Sequence, residues 1–378
     1  MENQKIVVIV KALVIMFVST AILYAQAPDM EWHKGYGTDN GEHIHELRQT
    51  RDGGYIGIGQ TSEDRGNYSE ILVIKIDSAG EYMWKKIVGS AKRDDIGICV
   101  NEADDGYVIG GGLFEGNQQR YMAKLDYEGA IIWEHVYENK RNGMIRGIDI
   151  LSNGELVTTG YKNCALSGFV FIADNSDGFI MKTDSEGNEI WVKTFGGNEE
   201  DFGYSVIQTS DGGYILVGFT VSFGSGNKDV WIIKTDSQGN EEWNKTYGGS
   251  EREIGFAVEQ TSDDGFIITG LTETNTFGLY DILLIKTDIN GENIWEKNIG
   301  NGNYEVGSSV KQTQDGGFII TGYTISYGNG AKDIWLVKTD PVGEIEWDRT
   351  FGGIHNDGGH DVFQTNSGGF IVLGYTES

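Results

Sequence analysis

One segment recurs along this chain, and its clearest copy runs from Gln208 to Trp243. The segment returns almost unchanged between Gln312 and Trp347. Seven tryptophans mark the copies, with spacings of 52, 49, 58, 52, 52 and 52 residues: Trp32, Trp84, Trp133, Trp191, Trp243, Trp295 and Trp347. A fixed period in this range restricts the chain to a solenoid, a propeller or a repeat array.

The content of one copy selects the propeller. The copy that begins at Asp201 has four short apolar runs separated by turn residues, and none has the periodicity of a helix. Asp-Gly and Asp-x-x-Gly turns favour tight hairpins between strands one and two and between strands three and four. Four antiparallel strands per repeat are typical of a propeller blade. The third strands, with runs such as VWII and IWLV, are apolar on both faces, as expected for a sheet between two neighbours.

The number of first strands predicts an all-β, seven-bladed β-propeller of four-stranded antiparallel blades. These strands precede Asp52, Asp105, Asn153, Asp211, Asp264, Asp315 and Ser367. Only six third strands follow, whereas an isolated fourth strand, Asp29 to Gly37, precedes the first complete blade. We therefore expect the last blade to be closed by N- and C-terminal strands and to be incomplete, without a third strand of its own. The segment Val18 to Ala25 is one candidate to fill that place.

Several motifs together resemble the secreted repeat propellers of bacteria and archaea. They are the Asp-Gly-Gly turns, the Gly-x-Thr strand ends, the Lys-Thr-Asp tripeptides and the tryptophan strand. The layout is also similar to that of pyrroloquinoline-quinone-type and WD-repeat blades. The resemblance covers nearly all of residues 29–378 and implies a propeller fold. Some members of such families carry lectin-like or endoglucanase-like names, and no motif in this sequence independently supports either activity.

Residues 1–25 are expected to be a secretory signal peptide, because two lysines precede an apolar run that ends at Ala25. An uncleaved anchor from Ile6 to Ala25 is the alternative. Residues 26–378 then form one β-propeller domain that is secreted, periplasmic or attached to the cell surface. The chain has 57 acidic and 29 basic residues and a net charge of −28, which disfavours nucleic-acid binding. We expect a monomer with no membrane span after cleavage.

Carboxylates just before the first strands form the first candidate binding site. The set comprises Glu42, Asp95, Asp201, Glu253, Glu305 and Asp357, and Gly143 interrupts it. Such a set could bind a cation or a polyhydroxylated ligand. Alternatively, each carboxylate accepts backbone N–H bonds and fixes its own loop. The Lys-x-Asp pairs that end the third strands, such as Lys234 and Asp236, are expected to be structural, because six copies do not define a unique site.

Aromatic residues in the loops between strands two and three form the second candidate site. They are Tyr68, Phe223, Phe277, Tyr280 and Tyr327. Aromatic platforms beside acids suit carbohydrate, whereas the alternative is that each ring packs on its own blade.

No nucleophile, metalloprotease, Walker or dinucleotide-binding motif is recognisable, and no cofactor is expected. Two histidine groups leave a metal site open, with surface histidines as the simpler interpretation: His33, His43 and His45, and His355 and His360. Cys99 and Cys164 have no zinc or redox spacing, although a disulfide is conceivable in a secreted chain. The sequence therefore predicts a non-catalytic binding or scaffold module for carbohydrate or protein. The alternative is a polysaccharide-acting glycoside hydrolase that uses a carboxylate pair on its loop face.

Overall fold

The computed structural model describes residues 5–10, 32–36, 42–62, 68–89, 94–114, 118–137, 142–167, 170–172, 175–276, 279–365 and 368–377. The secondary structure of this part of the chain consists of 29 β-strands. Over the same residues, no helix is long and apolar enough to cross a membrane.

The first two strands are β1 (Lys5–Val10) and β2 (Trp32–Tyr36). Six sheets of consecutive strands follow. In chain order their strands are β3 (His43–Gln49), β4 (Tyr55–Thr61), β5 (Glu70–Ile76) and β6 (Tyr82–Val88); β7 (Ile96–Ala103), β8 (Gly106–Phe114), β9 (Gln118–Leu125) and β10 (Ile131–Tyr137); β11 (Asn142–Ile150), β12 (Leu156–Ser167), β13 (Val170–Ile172), β14 (Asp177–Thr183) and β15 (Glu189–Phe195); β16 (Asp201–Gln208), β17 (Tyr214–Thr220), β18 (Asp229–Thr235) and β19 (Glu241–Tyr247); β20 (Glu253–Gln260), β21 (Phe266–Thr272), β22 (Asp281–Thr287) and β23 (Asn293–Ile299); and β24 (Glu305–Gln312), β25 (Phe318–Thr324), β26 (Asp333–Thr339) and β27 (Ile345–Phe351). The last strands are β28 (Asp357–Gln364) and β29 (Phe370–Thr376).

The fold is an all-β propeller with four-stranded antiparallel blades. Within each of the six sheets, neighbouring strands follow one another in the chain, and β13 is an addition that pairs with β12. The third strands β18, β22 and β26 are buried at every residue, which confirms that they are covered on both faces. The predicted hairpin turns are also present. Gly212 and Gly239 adopt positive φ values of 83° and 75°, a conformation that glycine adopts without steric cost.

Six blades are built from consecutive strands, so the prediction of seven blades was wrong. The C-terminal repeat supplies only two strands, β28 and β29, and therefore does not form a blade by itself. Strands from the two ends of the chain combine instead in a further four-stranded sheet, in the order β2-β1-β29-β28. Strand β1 is antiparallel to both of its neighbours, with Val8 opposite Lys34 and Leu373.

Strand β1 occupies the third-strand place that the sequence left empty. An unpaired strand edge attracts another extended segment, because its backbone N–H and C=O groups need partners. The segment that fills this place is Lys5–Val10, which lies within the region expected to be a signal peptide. The alternative segment, Val18 to Ala25, lies outside the described residues.

The chain divides into two compact units, residues 40–258 and residues 1–39 with 259–378. In the first unit, half-buried tryptophans from fourth strands pack against the next sheet. The Trp191 ring lies 5.9 Å from the Tyr214 ring, and a Cβ built on Gly239 would lie 2.6 Å from the indole. The turn glycine therefore leaves the space that the indole fills. In the second unit, Trp295 packs in the same way against Phe318, with 5.8 Å between ring centroids.

Close approach of strands one and two explains the glycine of the Gly-x-Thr motif. A Cβ built on Gly218 would lie 1.7 Å from the Phe202 carbonyl oxygen. The pairing register shifts at the same place, between Gly203 and Ser205, and leaves Tyr204 as the extra residue of a β-bulge. Any side chain at position 218 would therefore force the two strands apart.

Candidate functional site

The six carboxylates of the first candidate site are buried, with exposed fractions of 0–4%. Asp201 shows what they contact. Its carboxylate accepts the N–H of Gly197 at 2.8 Å and the hydroxyl of Ser222 at 2.7 Å, and it also accepts the Thr220 hydroxyl. Gly197 belongs to the crossover from the previous blade, and Ser222 belongs to the loop after strand two. Asp201 therefore ties two loops to the start of its own blade.

Three other members of this set make equivalent contacts. Glu305 accepts the N–H of Asn301 at 3.1 Å and the N–H of Ser326 at 3.2 Å. The carboxylates of Glu253 and Asp357 accept crossover N–H groups at 2.8 and 2.9 Å. Hydrogen bonds to buried carboxylates are stronger than those between neutral groups, so these contacts fix the loop conformations. For these residues the geometry favours the interpretation in which each carboxylate fixes its own loop.

A second acid begins most third strands, and it was not among the residues predicted to form a site. The acids are Glu70, Asp177, Asp229, Asp281 and Asp333. At four junctions between blades, a glycine at the end of strand four lies between this acid and the strand-one carboxylate of the next blade. A Cβ on Gly248 would lie 2.2 Å from Asp229 Oδ1 and 2.5 Å from Glu253 Oε2. Burial raises the pKa of Asp333, and the nearby Asp357 carboxylate raises it further.

Two of the loop aromatics, Phe223 and Tyr327, are exposed, unlike the carboxylates. Phe223 and Tyr327 have exposed fractions of 46% and 37% and occupy the same place in loops two repeats apart. Each lies against a buried tryptophan of its own third strand. The ring centroids of Phe223 and Trp231 are 5.9 Å apart, and those of Tyr327 and Trp335 are 5.2 Å apart. One side of each loop ring is therefore supported by the blade while much of the ring stays in solvent.

The remaining aromatics of this candidate site differ from one another. Tyr68 is 45% exposed. Tyr280 is half-buried and packs against Tyr304, with 4.8 Å between ring centroids. Phe277 lies outside the described residues. The four described members of this candidate site therefore differ in exposure and in the rings that they contact.

The third-strand lysines pair with acids, in keeping with the structural role expected for them, and all but the half-buried Lys182 are buried. The Lys234 ammonium lies 2.8 Å from Asp211 and 2.9 Å from Glu242, and it donates to the Thr235 carbonyl at 2.9 Å. Equivalent pairs join Lys75 to Asp52, Lys124 to Asp105, Lys182 to Glu155, Lys286 to Asp263 and Lys338 to Asp315. The acid of each pair lies in the turn between strands one and two, so the lysine fixes this turn to strand three.

Because acids in these turns pair with buried lysines, we expect the protein to lose stability in acid. Burial raises the pKa of Asp211, but hydrogen bonds from Lys234, Thr209 and Gly213 outweigh it and lower the pKa to about 2. The aspartate pKa is thus lower in the folded than in the unfolded chain. The contribution of the Asp211 carboxylate to the free energy of unfolding is present above about pH 4 and is lost as the pH falls towards about 2. Urea unfolding between pH 5 and 2 should show a smaller pH dependence in Asp211→Asn than in the exposed control Glu199→Gln. Equal pH dependence in both variants would contradict this assignment.

Nearly every first strand contains one bulged residue whose type differs from repeat to repeat. A register shift leaves a bulged residue at the same point of six first strands, and its type varies: His45, Ile98, Arg146, Tyr204, Ser308 and His360. In the unit 40–258, the Arg146 guanidinium lies 4.5 Å from the centre of the Tyr204 ring. The same tyrosine packs edge-on against Phe256 at 5.1 Å. Three successive first strands therefore carry a continuous cation–aromatic row, which no sequence motif indicated.

The structure gives little support to a metal site at the histidines. Rings of His43 and His45 lie 4.4 Å apart, whereas the side chain of His33 lies outside the described part. Among the described residues, no group of three or more His, Cys, Asp or Glu side chains is arranged to hold a metal ion. Cys99 is a free, buried thiol, and burial raises its pKa.

No protein-family model and no curated protein matches this sequence. Solved structures with a similar fold include the WD40 domain of Neurospora crassa Pan2, with a TM-score of 0.54 and 10% identity over 88% of this chain and 89% of that chain. The periplasmic gluconolactonase of Pseudomonas aeruginosa has a TM-score of 0.53 and 9% identity over 94% of this chain and 98% of that chain. A puromycin hydrolase has a TM-score of 0.51 and 12% identity, and the match spans 84% of this chain but 50% of that chain. At these identities the similarities show the propeller fold alone.

Proposed function

We propose that this protein is a secreted, non-catalytic binding module that contacts carbohydrate through the aromatic rings of its strand two–three loops. The observation that carries the proposal is the repeated arrangement of an exposed ring over a buried tryptophan, at Phe223 on Trp231 and at Tyr327 on Trp335. The apolar face of a sugar ring can cover such a ring and remove it from water.

The loops that carry these two rings are held in place before any ligand arrives. The backbone N–H groups of Phe223 and Tyr327 donate to the strand-end hydroxyls of Thr220 and Thr324, at 3.1 and 3.3 Å. Further along one loop, two N–H groups donate to the buried carboxylate of Asp229. A preorganised loop loses little conformational entropy on binding, so ring contacts contribute more of their energy to affinity.

Composition agrees with a neutral, hydroxyl-rich ligand. The sequences VSFGSGNK and ISYGNGAK place serine, glycine and asparagine around the aromatic residue. Such side chains and backbone groups offer adaptable hydrogen bonds beside a rigid ring. The net charge of −28 disfavours nucleic acid and other polyanions as ligands, whereas a neutral glycan requires no basic surface.

Glycan binding by the full chain is expected to depend on both loops. A glycan array identifies the ligand, and titration calorimetry then compares Phe223→Ala and Tyr327→Ala with wild type. Each substitution should weaken binding about three- to tenfold, because a ligand can cover only the exposed part of a ring whose full burial is worth roughly 1.5–3 kcal/mol, and tenfold corresponds to about 1.4 kcal/mol. The control is Tyr82→Ala, which removes a ring that is 53% exposed on strand β6.

Two results would count against the proposal. Unchanged affinity in the Phe223→Ala, Tyr327→Ala double variant would exclude the loop rings as the contact site. Release of reducing sugar from a bound polysaccharide would instead favour the glycoside hydrolase, for which a carboxylate pair at suitable separation would have to be found.

A further inference from the structure

The inner edge of the blades in the unit 40–258 carries an arginine, Arg146, that faces aromatic rings. In these blades, strand one lies at one end of the sheet, and the largely exposed strand four lies at the other end. The first strands β3, β7, β11 and β16 contact one another in this order. The blades of a propeller are arranged around a central channel. The first strands therefore form the inner edge of these blades.

Arg146 is the bulged residue of β11, and the next blade supplies its contact. The Arg146 guanidinium lies 4.5 Å from the centre of the Tyr204 ring on β16. The adjacent Gly147 permits this approach, because a Cβ built on it would lie 2.9 Å from the Tyr204 carbonyl oxygen. A larger residue at position 147 would push β11 away from β16. The glycine therefore holds the two strands close enough for the guanidinium to cover the tyrosine ring.

No acid of the described part of the chain pairs with Arg146. Its Nε is buried without a hydrogen-bond acceptor. Asp149, the acid on the same strand, instead accepts two backbone N–H groups at 3.0 Å each. By contrast, Arg48, the other arginine on a first strand of this unit, lies 2.7 Å from Glu46. A partly buried guanidinium is costly unless an anionic group compensates its charge, so Arg146 is suited to an anion from outside the chain.

Donor groups of Arg146 and Tyr204 are available to a ligand. The terminal nitrogens of Arg146 and the hydroxyl of Tyr204 are not buried, and among the described residues they have no hydrogen-bond partner. Apolar side chains adjoin them. The half-buried Phe256 packs edge-on against Tyr204, with 5.1 Å between ring centroids, and the half-buried Ile98 holds the bulge position of the preceding first strand. Charged donors beside apolar side chains suit an anionic group that is attached to a ring.

We propose that Arg146 and Tyr204 bind the carboxylate of a small monoanion whose ring lies against Phe256. The two terminal nitrogens of a guanidinium match a carboxylate in a bidentate pair of charge-assisted hydrogen bonds. The net charge of −28 repels a dianion such as phosphate more strongly than a monoanion, which favours a carboxylate. An acidic sugar and an aromatic acid share this chemistry. The proposal is independent of the loop aromatics, so either can fail without the other.

The test measures the melting temperature of the full chain against sodium galacturonate and, separately, sodium benzoate. Neutral galactose, sodium phosphate and sodium chloride at matched ionic strength are the reference solutes. A ligand that binds only the folded state raises the melting temperature saturably. Galacturonate or benzoate should produce such a rise, and sodium chloride should not.

Arg146→Met removes the charged donors and keeps the length of the side chain, so it should weaken the apparent carboxylate affinity at least about tenfold. Tyr204→Phe keeps the ring under the guanidinium and should weaken it severalfold. Arg51→Met changes the net charge equally at an exposed turn and should leave the response unchanged. The double variant Phe223→Ala, Tyr327→Ala should also keep the response, which separates this site from the loop rings.

The two probes distinguish the sources of the carboxylate. A response to galacturonate alone supports an acidic sugar, and a response to benzoate alone supports an aromatic acid. The proposal is overturned if wild type responds to both probes only as it does to galactose and sodium chloride, or if phosphate binds more tightly than either. A purely structural role for Arg146 would lower the melting temperature of Arg146→Met without ligand but leave its ligand-induced rise unchanged, and this result would also overturn the proposal.

Discussion

Replacing Trp191 with alanine is expected to lower the free energy of unfolding by about 3 kcal/mol, the lower end of the range for tryptophan truncation. The indole fills the space between the third and fourth blades, against Tyr214 and the backbone of Gly239. Its loss leaves a cavity that the rigid turn at Gly239 cannot close. The lower end of the range applies because the indole is only half-buried.

Urea denaturation provides the measurement, with Ile190→Ala as the control. Ile190 is the preceding residue on the same strand, and 48% of it is exposed, so its truncation should change stability by less than about 0.5 kcal/mol. If both substitutions had equally small effects, the assignment of the tryptophans as contacts between blades would be wrong.

Gly218→Ala is expected to destabilise the protein by at least about 3 kcal/mol, the upper part of the range for overpacking. The new methyl group would lie 1.7 Å from the Phe202 carbonyl oxygen, and backbone cannot move aside as a flexible side chain can. The variant should therefore lose the bulge pairing of β16 with β17 and unfold at markedly lower urea concentration.

Gly212→Ala is the matched control for this steric argument. Gly212 has a positive φ of 83°, but no atom lies within 4 Å of a Cβ built on it. Its substitution should cost only the conformational term, roughly 1–2 kcal/mol. Equal losses in Gly212→Ala and Gly218→Ala would show that conformation, and not close approach, explains the strand-two glycine.

Much of the blade could be predicted because the same turn residues, apolar runs and tryptophan recur in successive copies of the repeat. Turn residues around Asp211 and Gly239, the apolar run of β18 and the tryptophan of β19 each indicated the correct strand pairing. The structural role expected for the third-strand lysines was also correct, because a buried ammonium needs a counter-charge. The blade count was wrong because the last repeat has too few strands to make a blade alone.

The burial or exposure of the candidate site residues could not be predicted from the sequence, because it depends on the direction in which each side chain points. Asp201 and Phe223 both lie near the loop end of a blade, yet one is buried and the other is 46% exposed. A loop position alone does not distinguish these outcomes. The bulged residues were missed for a related reason: a bulge breaks the two-residue alternation, so Tyr204 projects from its strand out of phase with the pattern. Only the strand pairing identifies the row from Arg146 to Phe256.

The contact between tryptophan and turn glycine also affects how the chain can fold while it is being synthesised. Trp84 donates from Nε1 to the Tyr127 carbonyl at 3.0 Å and packs on Gly129, which lies 45 residues further along the chain. At a synthesis rate of about 5–20 residues per second, the ribosome needs roughly 2–9 s to produce that turn after it has added the tryptophan. During this interval the indole has no cover from the following blade. A growing chain therefore always carries one blade whose apolar face is open to solvent or to a chaperone, and each newly completed hairpin covers its predecessor.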